Sequence, residues 1–414
     1  MDASTADMNT PDMNRPDVNT PDVNPGDEQM ISVQRIATGG EGVGHLADGR
    51  VVFVPGVLPG EDVRIEITEK KRRFARGQAI EVLTASEDRV DVDCSHVLDG
   101  CGGCDWRHVK APSQREHKAQ IVRDVLSRIG RIEDPEVTIG PAGDAQRTTV
   151  RSVVHRGRAG YRRRKSHSAI RVNACPAAHP LVEEILVNGR FGSAAEISVR
   201  VGARSGERLV LVSPTIEDVD VPHGVRIIGS DDLDAGRNAW ITEEVGERNW
   251  RISAGSFFQA SSGGAEALAA AVRAEVDTSE AGHLVDLYSG VGLLGGLCAG
   301  DRDVTAVESS ASSVADARVN TPNARIIHHR VENWKPQPAS VVIADPARSG
   351  LGDKAVDIIN ATGAKDLVLV SCDPGALGRD ATLLNAAGFT FQHATTVEMF
   401  PNTSHIETVS RFSR

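Results

Sequence analysis

The stretch that most constrains the fold is LVLVSCDPGALGRD, residues 367–380. Its apolar, β-branched residues stop abruptly at Ser371-Cys372-Asp373-Pro374, and a helix-like segment begins. A short continuous apolar run of this kind reads as a parallel strand buried on both faces. Asp373 suits a helix N-cap and Pro374 the first turn, so the strand would deliver Cys372 to the positive end of a helix dipole. That setting, with a cation such as Arg379 close by, favours the thiolate, which is the nucleophilic form of cysteine. The competing reading is a buried structural cysteine, and position alone leaves both open.

The same alternation runs through the last third of the chain. HLVDL, DVTAVE, ARIIHH, SVVIAD, DLVLVS, FTFQHATTVEMF and IETVSRF read as seven strands, with helices filling most gaps and the last two strands joined directly. This predicts an α/β, doubly wound, mainly parallel sheet with an antiparallel edge strand. Ligands of such sheets bind beyond the carboxyl ends of the strands. The first strand enters DLYSGVG, a glycine-rich turn that permits close approach of a cofactor. The second ends in Glu308, about 20 residues on, where a carboxylate can accept two ribose hydroxyls. NAD and S-adenosylmethionine proteins share this acid, and a single DxYxGxG in place of GxGxxG favours S-adenosylmethionine. Asp345 ends the fourth strand in DPAR, Cys372 the fifth, and Glu407 begins the seventh, so all three point to one rim.

Upstream the pattern differs. Residues 1–29 repeat a five-residue unit with Asp at 2, 7, 12, 17, 22 and 27, a composition that cannot bury enough surface to fold. Residues 30–86 hold short alternating strands (ISVQRIA, VVFVPG, DVRIEITEKK, FARGQAIEVL) between Gly-rich turns, which predicts a small closed barrel of OB type. Small barrels often bind RNA, though a plain packing module fits the pattern as well. Cys94, Cys101 and Cys104 follow in a C-x6-C-x2-C arrangement, and Cys175 can close a fourth position. Four thiolates suit zinc or an iron–sulfur cluster, with zinc ahead on spacing alone. The neighbouring His96, His108 and His179 read as surface residues. An amphipathic helix spans 113–129, and 135–255 is strand-rich.

Net charge is −11, which at first argues against a nucleic-acid partner. Its distribution argues otherwise. Seven acids and one arginine fall in residues 1–29, whereas 147–171 hold nine Lys/Arg and no acid, with Tyr161 among them. Lys70-Lys71-Arg72-Arg73 with Arg76 is a second basic cluster. Either run can be a solvated face; two together fit a phosphate-binding footprint. No apolar run is long enough for a membrane span, and the N-terminus lacks the features of a signal peptide, so a cytoplasmic protein is expected.

A nucleophilic cysteine, a carboxylate and a methyl donor beside a basic surface suit C5 methylation of a pyrimidine. C5 becomes nucleophilic once a thiolate has added to C6, and a base such as Glu407 must then remove the C5 proton. Here the chain resembles the iron–sulfur-containing RNA uracil-C5 methyltransferases, over residues 31–414. SCDPGALGRD resembles that family's SCNPxTLARD nucleophile motif, and MFPNTSHIETV its MFPHTxHVExV base motif. The barrel looks like a TRAM domain. The resemblance implies a Rossmann-like class I methyltransferase domain at 256–414, a central iron–sulfur and RNA-contacting domain at 87–255, and a TRAM barrel at 30–86 behind the acidic tail. It implies Cys372 as nucleophile and Glu407 as base. S-adenosyl-L-methionine would be bound by Gln259, Tyr288, Glu308 and Asp345, and a [4Fe–4S] cluster by Cys94, Cys101, Cys104 and Cys175. The expected partner is RNA, ribosomal in preference to transfer RNA, with no membrane and no protein partner. The family usually has Asn where this chain has Ala260-Ser261, Leu293-Leu294 and Asp373, and DPPR where it has DPAR. A transfer-RNA uridine-C5 methyltransferase, an RNA cytosine-C5 methyltransferase and a non-catalytic RNA-binding protein are the alternatives.

Overall fold

The structure, a computed structural model, describes residues 23–143, 146–164 and 166–414. The chain divides into two compact units, one ending at Arg89 and one starting at Val90.

The first unit is a six-stranded sheet of β1 (Glu28–Ser32), β2 (Arg35–Ile36), β3 (Gly42–His45), β4 (Val51–Val54), β5 (Asp62–Lys70) and β6 (Phe74–Thr84), in the order β1-β5-β6-β4-β3-β2. The two ends of that order are one chain segment interrupted only by Val33 and Gln34, so the sheet closes on itself, as the alternating pattern predicts. In β5, Val63, Ile65 and Ile67 are buried while the residues between them face outward. Each such burial stabilises by about 1.5–3 kcal/mol. Glu61, fully buried, accepts the N–H groups of Leu58 (2.8 Å) and Ser86 (3.2 Å) and the Arg89 guanidinium (2.5 Å). Burial alone would raise its pKa; these donors outweigh burial and hold it below the ordinary carboxylate value. The barrel starts earlier than expected. Residues 1–22 of the acidic tail lie outside the described residues, but Val23 is buried in the barrel core and Gly26 N–H donates to Ile67 O at 2.8 Å. Residues 23–29 are therefore barrel, not tail.

The second unit opens with the cysteine loop, helix α1 (Ala111–Arg128) and strand β7 (Val137–Ala142). A six-stranded sheet follows, in the order β10 (Ala169–Arg171), β9 (Arg158–Arg162), β8 (Thr149–His155), β11 (Glu196–Val201), β12 (Arg208–Ser213), β13 (Val225–Gly229). Its core is shared with helix α2 (Pro180–Asn188) through Val182, Ile185 and Leu186. After the hairpin β14 (Trp240–Val245) and β15 (Arg248–Ser253) comes helix α3 (Ser262–Asp277).

The final sheet holds β16 (Leu284–Leu287), β17 (Val304–Glu308), β18 (Arg325–His328), β19 (Val341–Ala344), β20 (Asp366–Ser371), β21 (Thr390–Glu398) and β22 (Glu407–Ser413). All seven expected strands are present. Helices α4 (Leu293–Cys298), α5 (Ala311–Asn320), α6 (Gly352–Ala361) and α7 (Pro374–Ala386) alternate with them. The order is β18-β17-β16-β19-β20-β22-β21-β7. β16, β19 and β20 are buried along their whole length, as apolar strands of a two-faced sheet must be.

Two features differ from expectation. The antiparallel strand β22 is not at an edge but between β20 and β21. Its almost continuous burial explains this, because a strand with Thr408, Val409 and Ser410 all buried needs a neighbour on each side. The sheet also has an eighth strand: β7, expected in the central domain, pairs parallel with β21 at the edge. Its Gly140 and Pro141 make it a poor interior strand but an acceptable edge. Helix α1 joins this layer too. A Cβ on Gly378 of α7 would lie 2.9 Å from both Val125 Cγ1 and Ile129 Cβ, so glycine permits the close approach of α1 and α7.

Candidate active site and cysteine centre

Strand β20 ends where helix α7 begins. Asp373 caps the helix, its Oδ1 accepting the Ala376 N–H at 2.7 Å, with Pro374 in the first turn. Cys372 sits between strand and cap. Because β22 runs antiparallel, its first residue reaches the carboxyl rim of the parallel strands. Ser371 pairs with Thr408, which sets Glu407 across from Cys372. Asp345 and Arg348, from the loop after β19, act electrostatically on both.

This electrostatic environment corrects the sequence reading of Cys372. Burial pushes its thiol up to about 11, with Glu407 and Asp345 adding to the rise and Arg348 opposing it. A helix N-terminus contributes roughly 0.3–1 kcal/mol, whereas a rise from 9.0 to about 11 is worth ~2.7 kcal/mol. Burial and the two carboxylates win, and the resting group is a thiol. The cation acting on it is Arg348 rather than Arg379, whose charge falls on Asp380. Glu407 is 5% exposed; burial first, then Asp345, hold it well above the ordinary carboxylate value, against Arg348. Burial also lifts Asp345 to about 7.

At the ends of β16 and β17 the turn is tightly built. Tyr288 takes φ +60°, an uncommon conformation for an aromatic residue, and its hydroxyl donates to Glu332 Oε1 at 3.2 Å. Glu308 is braced by backbone donors: Gly290 N–H at 2.9 Å on one oxygen, Ser309 N–H at 2.7 Å and Ser310 N–H at 2.6 Å on the other. Gln259, Asp286, Tyr288 and Asp345 line one cavity here, with Phe258 and Val291 as apolar walls. Asp286 is fully buried. Its Oδ2 accepts the Gly295 N–H at 2.9 Å, while among the described residues Oδ1 has no partner, as is also true of Ser289 Oγ. Burial lifts Asp286 to about 7 despite that hydrogen bond. Orphaned buried oxygens are costly unless a ligand meets them. Two of them beside a braced acid fit a ligand rich in hydroxyl and ammonium donors, as S-adenosylmethionine is. Asp286 and Arg348 are site residues that only the fold reveals, although the first lies in DLYSGVG and the second in DPAR.

Cys94, Cys101, Cys104 and Cys175 line a second cavity of about 980 Å³ with Arg107 and Arg147. None is in a disulfide. Burial pushes the Cys104 thiol up, and the guanidinium groups of Arg147 and Arg107 oppose this. Burial likewise raises Cys101, with contributions from the other three cysteines. Among the described residues, no group of three or more His, Cys, Asp or Glu could hold a metal ion. Much of the basic run folds around the same space: Arg151, Arg162, Arg163 and Arg164 are among its lining. Tyr161, read as an aromatic among arginines, instead donates its hydroxyl to Cys175 Sγ at 3.5 Å. The histidines are structural rather than superficial. His96 and His108 are buried, and His179 caps α2 by accepting the Leu181 N–H.

Residues 22–80 match the TRAM domain. The chain is 32% identical to an uncharacterized RNA methyltransferase of Streptomyces avermitilis, over 93% of this chain and 98% of that one. It is 33% identical to another from Corynebacterium glutamicum, over 94% and 97% respectively. Among solved structures, Pyrococcus abyssi tRNA (uracil-54, C5)-methyltransferase in complex with S-adenosyl-L-homocysteine superposes with a TM-score of 0.69 at 21% identity, covering 92% of this chain and 99% of that one. That likeness establishes the fold. Among the described residues, no helix is long and apolar enough to cross a membrane.

Proposed function

The chain belongs to the RNA methyltransferases, and on that premise we propose that it transfers a methyl group from S-adenosylmethionine to C5 of a uridine in RNA, through a covalent bond between Cys372 and C6. The observation that carries this reading is the juxtaposition of Cys372 and Glu407, each next to the Ser371–Thr408 pair that ends the β20–β22 ladder, at the rim beside Asp345. A pyrimidine C5 methylation needs a nucleophile and a base on one nucleobase, and this register supplies both. We read Gln259, Tyr288, Glu308 and Asp345 as the residues that hold S-adenosylmethionine, with Asp286 added from the geometry. When bound, it supplies the electrophilic methyl group.

The chemistry of the chain's own residues follows. The Cys372 thiol gives up its proton to Asp345, the neighbouring carboxylate that is not the later base, and its sulfur bonds to C6. The electrons of the C5–C6 double bond make C5 nucleophilic, and C5 bonds to the methyl group as the donor's carbon–sulfur bond breaks and its electron pair returns to sulfur. An anionic Glu407 then removes the C5 proton. The double bond re-forms as the C6–S bond breaks, and Cys372 leaves. A buried carboxylate with a raised pKa is a stronger base than an exposed one, which suits Glu407 to a carbon acid.

We also read the four-cysteine cavity as the seat of a [4Fe–4S] cluster. What supports this is the donor set: four cysteines, none in a disulfide, share the lining of one cavity with Arg107 and Arg147, and four thiolates are what such a cluster takes. Its chemistry there is structural, since methyl transfer moves no electrons through the site. The TRAM barrel, whose Lys71-Arg72-Arg73 turn is exposed, supports RNA binding. Ribosomal RNA is the proposed substrate and the cytoplasm the proposed location. The test is to map 5-methyluridine in ribosomal and transfer RNA from cells with and without this chain. Loss at a ribosomal site is expected. Unchanged 5-methyluridine, together with failure of the purified protein to methylate RNA lacking that mark, would overturn the reading.

A further inference from the structure

The cysteine loop and the loop that leads into Glu407 are bonded to each other at several points. Immediately after Cys104, Asp105 Oδ1 accepts the Ser404 N–H at 3.0 Å, and the Trp106 N–H donates to Asn402 O at 3.0 Å. From the first turn of α1, Gln114, 1% exposed, meets Asn402 twice. Its Oε1 accepts the Asn402 N–H at 2.6 Å and its Nε2 donates to Asn402 Oδ1 at 3.1 Å. Asn402 is held in the left-handed region at φ +62°, a conformation that Asn tolerates but that still needs outside support. One turn further along α1, buried Lys118 donates to Glu398 Oε1 at 2.7 Å and to Phe400 O at 3.0 Å. Both arms of the turn between β21 and β22 are thus held by residues 105–118, and the turn ends at the buried pair Ile406 and Glu407.

We infer that residues 105–118 form a positioning strap that couples the state of the cysteine centre to the placement of Glu407. Asp105 and Gln114 are positioning residues. They reach no reacting atom, but they hold the loop that sets the base. Cys104 adjoins Asp105, so a filled centre fixes the start of the strap, and an emptied centre releases the turn at 399–406 and with it Glu407. The inference rests on the reading of Glu407 as the base and of the four cysteines as holders of a cluster.

The experiment uses full-length protein with its centre loaded, measuring hydrogen–deuterium exchange, iron content and steady-state kinetics for the wild type and Asp105→Ala. In the variant, peptides covering 399–407 are expected to exchange about tenfold faster. Its kcat is expected to fall roughly tenfold to a hundredfold, as a base displaced by a fraction of an ångström would require. KM for S-adenosylmethionine and iron content stay at wild-type values. Oxidation and chelation of the wild type, which empty the centre, are expected to accelerate exchange at 399–407 and leave β16 and β17 unchanged. Wild-type exchange at 399–407 in Asp105→Ala overturns the strap, and unchanged exchange on emptying the centre overturns the coupling. Wild-type protein that binds no iron, or methylates no uridine, defeats the reading of function instead, and exchange in Asp105→Ala still decides whether the strap exists.

Discussion

The resting protonation of Cys372 yields a sharp prediction, because the sequence reading and the structure disagree about it. A thiol activated by its helix N-terminus would be largely ionised near neutrality and react quickly with iodoacetamide. The structure instead puts the thiol at about 11 in the free protein, against 9.0 for an ordinary cysteine. At pH 8 that lowers the thiolate population about 100-fold. A more basic thiolate is also more nucleophilic, with a Brønsted slope of about 0.4–0.5, which recovers roughly eightfold over the same interval. The net expectation is alkylation about 12-fold slower than an unhindered thiol of ordinary pKa at pH 8, an estimate that combines these two effects. The sign with pH follows: the neutral thiol dominates below about 11, so the rate climbs close to tenfold per pH unit and does not level off at pH 9. Mass spectrometry of the tryptic peptide 366–379, in which Cys372 is the only cysteine, isolates this residue from the other five. Arg348→Gln removes the opposing cation and is expected to slow alkylation further. A rate that levels off by pH 8, or an Arg348→Gln protein that reacts faster, would refute the electrostatic argument.

Glu407→Gln is expected to lower kcat by about 10²–10⁴-fold and to accumulate a methylated RNA bound covalently to Cys372, visible as a slower band on a denaturing gel. An equally slow variant with no trapped adduct would show that Glu407 acts before the bond to C6 forms. Glu61→Gln is expected to destabilise the barrel by about 2–3 kcal/mol, because the Arg89 guanidinium loses its charged partner. Since Glu61 titrates below its ordinary value, that stabilisation is present above about 4.5 and is lost as pH falls through the native value; urea titrations of wild type and variant at pH 7 and pH 3 would read it. For Gly378→Ala, a gain of up to ~1 kcal/mol in helix propensity competes with overpacking of about 1–3 kcal/mol against Val125 and Ile129. A net loss of ~1–2 kcal/mol is expected in denaturant titrations.

What the sequence made legible was the order of the strands and the chemistry at their ends. LVLVSCDP announces a buried strand, a stop and a cap because each local choice is made by neighbouring residues, and Asp373 and Pro374 do what their side chains predict. The neighbours of β22 were not legible, because pairing is decided by residues far apart in the chain. IETVSRF has nothing in its own letters that says interior rather than edge. The eighth strand was hidden for a related reason: VTIGPA carries a glycine and a proline, and only the open edge of β21 makes it a strand.

The protonation of the rim was illegible for a deeper reason. Cys372 is subject to opposing influences of similar size: a helix terminus and Arg348 favour the thiolate, while burial, Glu407 and Asp345 favour the thiol. The sign of such a sum depends on how dry the site is and how near the charges lie, and neither is encoded within reach of SCDPGALGRD. Both are consequences of inserting β22 beside β20. The register that brings Glu407 beside Cys372 sets a carboxylate against the thiol, so on the proposed mechanism the placement that would supply the base also makes Cys372 harder to ionise. A site built this way keeps its cysteine protonated in the free protein, and Arg348 is the cation that moderates the rise.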